Sequence, residues 1–293
     1  MDKEPKVTQA MINAYDEYTH LHLDRRKFME RLTVLAGSGA AAAAIAPMLA
    51  ANGARAAMVE ANDDRLTTGD VTFPGSTGEM KAYWARPKSA TGPLGSIIVI
   101  HENRGLNDHI RDVARRAALE GFNALAVDFL SPLGGTPAEE DKAREMFSTL
   151  DPAQTTADGE AARAWLSKHE GANGKVGAVG FCWGGGLVNR MAVNSPELNA
   201  GVAYYGQQAQ AVDVPKIKAP LMLHYGGLDE RINAGIPAYR EALEKNGKTF
   251  EIFVYEGVNH AFNNDTSAAR YNKAAADLAW GRTIAFFKTN LAG

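Results

Sequence analysis

The chain contains a single cysteine, and its neighbours give that thiol a chemistry. Gly180-Phe181-Cys182-Trp183-Gly184-Gly185-Gly186 follows directly on the apolar run KVGAV. A Gly-x-Cys-x-Gly pattern between a strand and a helix is the cysteine form of a nucleophile elbow. The turn is so tight that the positions two before and two after the nucleophile must be small. It lifts the side chain above the sheet and places it at a helix N-terminus, whose partial positive charge favours thiolate over thiol. Two other readings remain open. One is a buried cysteine packed in a glycine-rich turn. The other is a phosphate-binding glycine loop, although no Lys-Ser/Thr pair follows the glycines as a P-loop requires.

Partners for the thiol follow in the order nucleophile, acid, histidine. Gly226-Gly227-Leu228-Asp229 comes after the strand-like Pro220–His224, and Val258-Asn259-His260 after the strand-like Phe250–Tyr255. His260 would take the thiol proton and later serve a deacylating water, while Asp229 would fix its tautomer. Ile100-His101-Glu102-Asn103-Arg104-Gly105 closes another apolar strand. A loop in that place supplies one oxyanion-hole amide and the residue after the nucleophile supplies the other, which makes the backbone N–H groups of Asn103 and Trp183 the candidates. Glu102 would face the same cleft, where a carboxylate can hold the thiol protonated at rest or accept its proton. An ion pair at the loop base is the plainer reading of Glu102 and Arg104. Trp183 and Tyr204-Tyr205 are candidates for pocket lining or for core packing.

The elements that must position these residues alternate along the chain. Val71–Pro74 and Met80–Arg86 read as an opening antiparallel pair, and Ser96–Ile100 as a strand buried on both faces. Helical sequence spans Asp108–Glu120, Ala138–Leu150 and Asp151–His169, with strand Ala124–Val127 between the first two. Strand Lys175–Val179 and the elbow helix come next. They are followed by strand Gly201–Tyr204, helical Ala234–Asn246 and a final helix of about Ser267–Lys288. This alternation predicts an α/β fold with a mostly parallel central sheet and helices on both faces, in one domain over residues 57–293.

Composition narrows the partners. The 293 residues are 45% hydrophobic and 22% charged with a net charge of -3, so no basic excess speaks for nucleic acid. One cysteine excludes an internal disulfide and any cysteine-built metal cage. It also leaves a sulfenic acid without a resolving thiol, which ranks a redox sensor last. Residues 1–56 stand apart. Asp24-Arg25-Arg26-Lys27-Phe28-Met29 precedes the uncharged stretch TVLAGSGAAAAAIAPMLA at 33–50, and Ala54-Arg55-Ala56 follows. This order reads as a twin-arginine-like export signal, with the twin-arginine translocase as partner and a periplasmic or otherwise exported location. Cytoplasmic and signal-anchored forms are the alternatives, and AYDEYTHLHLDRRKFMERL also has the composition of an amphipathic helix that could serve a partner.

Taken together, the His101-Glu102 strand end, the Gly-Phe-Cys182-Trp-Gly-Gly elbow, Gly-Gly-Leu-Asp229 and Asn-His260 closely resemble the dienelactone hydrolases (carboxymethylenebutenolidases) across most of residues 70–290. The resemblance implies a single-domain α/β-hydrolase that cleaves small esters or lactones through a Cys-Asp-His triad, with no metal and no organic cofactor. It also implies that Glu102 controls the thiol. The family holds its substrate carboxylate with two arginines. Where these are expected, this chain reads Phe129-Leu-Ser-Pro-Leu-Gly-Gly and Ala261-Phe-Asn-Asn-Asp, without arginine. Arg104 and Arg231, and less directly Arg270, are the candidates to supply that charge by another route. A non-catalytic small-molecule binding protein on the same scaffold is the competing reading, since fold alone does not fix function.

Overall fold

The computed structural model describes residues 6–20, 23–50 and 57–293. Eight strands form one sheet: β1 (Leu66–Pro74), β2 (Glu79–Pro87), β3 (Leu94–Ile100), β4 (Asn123–Val127), β5 (Ala172–Phe181), β6 (Ala200–Tyr204), β7 (Leu221–Gly226) and β8 (Phe250–Tyr255). Their spatial order is β1-β2-β4-β3-β5-β6-β7-β8. β1 pairs antiparallel with β2, and β2 with β4; every other pairing is parallel. The expected sheet is thus present, with its antiparallel pair at one edge.

The helices are α1 (Gln9–Thr19), α2 (Arg25–Ala36), α3 (Gly39–Leu49), α4 (Asp108–Leu119), α5 (Glu140–Ser148), α6 (Pro152–Leu166), α7 (Trp183–Asn194), α8 (Glu230–Asn233), α9 (Ile236–Lys245) and α10 (Lys273–Leu291). Side chains alternate across a strand, so β3 feeds two cores. Ile97 and Val99 join Val113 and Ala117 of α4 and Phe287 of α10 on one face. Ile98 and Ile100 join Leu166 of α6 and Leu187 and Met191 of α7 on the other.

Two helices differ from expectation. The last one starts at Lys273 rather than near Ser267, because the Asn272 side chain accepts from Ala275 N at 3.0 Å and caps it there. The short α8 was not expected: the stretch Ala234–Asn246 forms α9, which starts at Ile236 with Pro237 in its first turn, and α8 lies ahead of it.

The N-terminal segment is folded against the sheet domain. The stretch expected as one amphipathic run from Ala14 breaks after Thr19, and α2 begins where the Asp24 carboxylate accepts from Lys27 N at 2.8 Å. The stretch 33–50 is broken too, since Gly37 at φ 79 ends α2 and Ser38 caps α3, so the two helices meet at 112°. No single helix among the described residues is long and apolar enough to cross a membrane. Met11, Tyr15, Tyr18, Phe28, Leu32 and Ile45 give α1–α3 a small core of their own. Arg25 and Arg26 lie on its surface, Arg25 pairing with Asp141 at 3.0 Å and Arg26 facing Glu30 at 3.6 Å. The Ala54-Arg55-Ala56 cleavage pattern lies outside the described residues.

Candidate active site

The strand-to-helix turn between β5 and α7 shows why its glycines are needed. A Cβ on Gly180 would sit 2.2 Å from Gly184 O, and one on Gly184 would sit 2.5 Å from Ile100 O. Cys182 itself has φ 54 and ψ -112, a conformation side chains avoid. It is held by Cys182 N donating to Tyr204 O at 3.0 Å and by Gly186 N donating to Cys182 O at 3.1 Å. Among the described residues the only other non-glycine residues at positive φ are Tyr205 at 38° and Ala261 at 61°. All three border the site, so the backbone strain is concentrated where the chemistry would occur.

Asp229 and His260 meet beside the thiol. Asp229 Oδ1 accepts from Ile232 N at 3.2 Å, which caps α8 and leaves Oδ2 to receive His260 Nδ1–H at 2.5 Å. The proton on Nδ1 turns Nε2 towards Cys182, and among the described residues that buried nitrogen has no other partner. Burial lowers the basicity of His260, but Asp229 foremost, then Asp16 and the thiol, raise its pKa well above the ordinary value. Burial alone would raise the thiol of Cys182; His260 and then His20 bring it down to about 6. Both shifts favour the thiolate–imidazolium form of the pair.

Glu102 is buried, and among the described residues no hydrogen bond joins it to the thiol. Its Oε2 accepts from Asn264 Nδ2 at 2.8 Å and its Oε1 from Tyr205 Oη at 3.4 Å. Burial pushes its carboxyl up, but Arg104, then Arg270 and His109, outweigh this and keep it below the usual range. Asn103 and Trp183 both line the cavity over Cys182, and neither backbone amide is paired among the turn and loop bonds of the described residues. His101 stacks on Trp183 at 5.6 Å and fixes that ring. Tyr205 borders the cavity, whereas Tyr204 is core.

The cavity measures about 230 Å³, a size for small molecules. The candidate arginines divide. Arg231 lines the cavity. Arg104 does not: it is 3% exposed, with Nη2 donating to Tyr15 Oη at 2.8 Å and Nε 3.2 Å from Glu140. Its role is to hold α1 and α5 to the loop, which corrects the expectation that it binds substrate. Arg270 stacks on Tyr15 at 5.1 Å. Sequence reasoning missed Arg190, which lines the cavity, lies 5.9 Å over the Trp183 ring and has no acidic partner among the described residues. Desolvation lowers its pKa with nothing opposing it, so an anionic group would relieve it. The seven-residue spacing from Trp183 to Arg190, one helical face, was the available signal.

The second missed residue is His20, from the end of α1. Its Nε2 lies 3.4 Å from Cys182 Sγ and 3.0 Å from an Arg231 nitrogen. Cys182 Sγ and the nitrogens of His20 and His260 all fall within 4.8 Å of one another, a donor set that suits a soft divalent cation. The Arg231 guanidinium at that point opposes a second positive charge.

Comparison with known proteins agrees with this geometry. The sequence profile of the dienelactone hydrolase family matches residues 80–291. A protein of Escherichia coli O157:H7, provisionally named carboxymethylenebutenolidase, is 35% identical over 246 residues, covering 79% of this chain and 90% of its own. A protein of Methylorubrum extorquens with the same provisional name is 34% identical over 277 residues, covering 89% of this chain and 93% of its own. That coverage exceeds what residues 57–293 can provide, so the match takes in part of the N-terminal segment. The crystal structure of a provisionally named dienelactone hydrolase from Klebsiella pneumoniae superposes with a TM-score of 0.70 at 33% identity, over 76% of this chain and 98% of that one. The architecture is the α/β-hydrolase fold. A match of this extent to the family profile, with relatives above 30% identity along nearly their whole length, places the chain: it belongs to the dienelactone hydrolase family.

Proposed function

We propose that the protein hydrolyses a small carboxylic ester or lactone by nucleophilic attack of Cys182, with Asp229 and His260 completing the triad. The observation that carries this reading is the buried His260 Nε2, without a hydrogen-bond partner among the described residues, oriented by Asp229 beside a strained, charge-stabilised thiol. The thiolate adds to the carbonyl carbon, and the oxyanion is met by the Asn103 and Trp183 amides. Collapse expels the alkoxide, which takes the proton of the His260 imidazolium and leaves a thioester on Cys182. His260, now neutral, deprotonates a water that attacks the thioester. Expulsion of the sulfur releases the carboxylic acid and restores the thiolate. A dienelactone is the narrower substrate. In this mechanism Glu102 controls the thiol through its negative charge and the Tyr205 contact.

The test is hydrolysis of short p-nitrophenyl esters and simple lactones by the full chain. Cys182→Ala should lose turnover entirely and His260→Ala at least about 10³-fold. Iodoacetamide should label Cys182 once per chain and abolish activity. Full activity in Cys182→Ala would sink the mechanism.

Export by the twin-arginine translocase is the location we propose, on the strength of residues 24–50 alone. Cell fractionation of the native host tests it, with cytoplasmic recovery of all the protein as the contrary result.

A further inference from the structure

We propose that α1 is a fixed wall of the active site and that His20, at its C-terminal end, is a further catalytic residue that holds the sulfur of Cys182. This rests on the hydrolytic reading of that site and adds a residue to it.

Three independent contacts seat the helix. Midway along it Tyr15 Oη accepts from Arg104, on the loop that carries Glu102. Tyr18 Oη donates to Asp141 at 2.8 Å, and its ring lies under the Arg144 guanidinium at 4.2 Å. At the near end Thr19 O accepts from Asn103 Nδ2 at 2.7 Å, beside the amide assigned to the oxyanion. These anchors are polar and partly or fully buried, which makes them directional as well as adhesive. They fix the helix so that residue 20 enters the cleft.

The arrangement at His20 repeats the one at His260. Nδ1 is held on Asp16 O at 2.8 Å, with the Asp16 carboxylate 3.4 Å away. That leaves Nε2 as the nitrogen that meets Sγ at 3.4 Å. The two imidazoles stand edge to face with centroids 4.9 Å apart. Cys182 therefore lies between two histidines, His260 oriented through Nδ1 by the Asp229 carboxylate and His20 through Nδ1 by the Asp16 backbone carbonyl. With the Nδ1 hydrogen on the Asp16 carbonyl and Arg231 Nη2 at 3.0 Å, Nε2 presents its lone pair and accepts the thiol S–H, which holds the sulfur in the orientation from which His260 exchanges the proton. Arg231, which touches the same nitrogen, ties α1 to the loop that carries Asp229. The consequence for export is that α1 must travel with the hydrolytic domain, not be removed at residues 54–56.

The test uses the full chain with His20→Ala and His20→Gln, whose amide keeps a hydrogen-bonding group near Nε2. His20→Ala should lower kcat about tenfold, the worth of one hydrogen bond, with KM within about threefold. His20→Gln should recover most of kcat, and both should melt within a few degrees of the wild type. The protein purified from its native host should retain residues 9–20 by intact mass. A kcat in His20→Ala within twofold of wild type overturns the inference. So does equal damage in both variants with a lowered melting point, or a mature chain that begins after residue 56. Activity surviving in Cys182→Ala would instead remove the hydrolytic reading itself, so the two failures are distinguishable.

Discussion

Burial and charge act on the Cys182 thiol in opposite directions, and charge prevails. With the thiol at about 6 and His260 held well above its ordinary value, the thiolate–imidazolium pair exists from about pH 6 upward. Below that the sulfur is protonated and attack stops. We therefore expect kcat/KM and the iodoacetamide rate to fall together as pH drops through about 6, with an apparent value that belongs to the coupled pair. A limb near pH 8 to 9 would mean that the thiol is not charge-stabilised. Arg190 carries the second prediction at this scale. A cation without an acidic partner in the cleft should prefer esters that bear a carboxylate. Arg190→Gln should raise KM for such an ester about 10- to 100-fold, the range of a charge-assisted bond, and leave neutral esters nearly unchanged. The triad was legible because each member sits in a motif at a strand end. His20 was not, since 162 positions separate it from the thiol it touches and only the four-residue step from Asp16 hinted at an oriented imidazole. Nor was the fate of Arg104 visible, because its partners Tyr15 and Glu140 come from elements whose docking no local pattern records.

Helix α7 opens with three consecutive glycines that have different duties. Gly184 packs so closely on Ile100 O and His101 O that backbone would have to move to admit a methyl group. At Gly186 the nearest atom to an added Cβ is 3.6 Å away, an ordinary contact. Gly184→Ala should cost at least about 2 kcal/mol in urea unfolding, whereas Gly186→Ala should be neutral or mildly stabilising through helix propensity. Equal effects would show that the elbow is not the constraint. Strands and helices were legible where periodicity or a cap marked them, as at Asp151. The last helix was placed too early because the residues 267–272 have helical composition, and what decides its start is the Asn272 cap.

The described residues form two large cores that sandwich the sheet, a separate one belonging to α1–α3, and a small cluster of Leu130, Ala143 and Phe147. From sequence the N-terminal stretch stood apart as a change of composition. That it leans on the cleft was not legible, because the contacts are long-range polar pairs. The independence of the α1–α3 core has a dynamic consequence. Cooperative units with little buried apolar surface open sub-globally, at free energies below that of complete unfolding. The amides of α1–α3 should exchange with deuterium well before those of β3 and β5. Because His20 leaves the sulfur when this unit opens, urea should lower turnover about tenfold at a lower concentration than it removes the far-ultraviolet circular dichroism of the sheet domain. Coincident transitions would mean that the helices and sheet melt as one. The protein should therefore have a weakly active, largely folded state within reach of mild denaturant, with its thiol open to bulky alkylating reagents that the native cleft turns away.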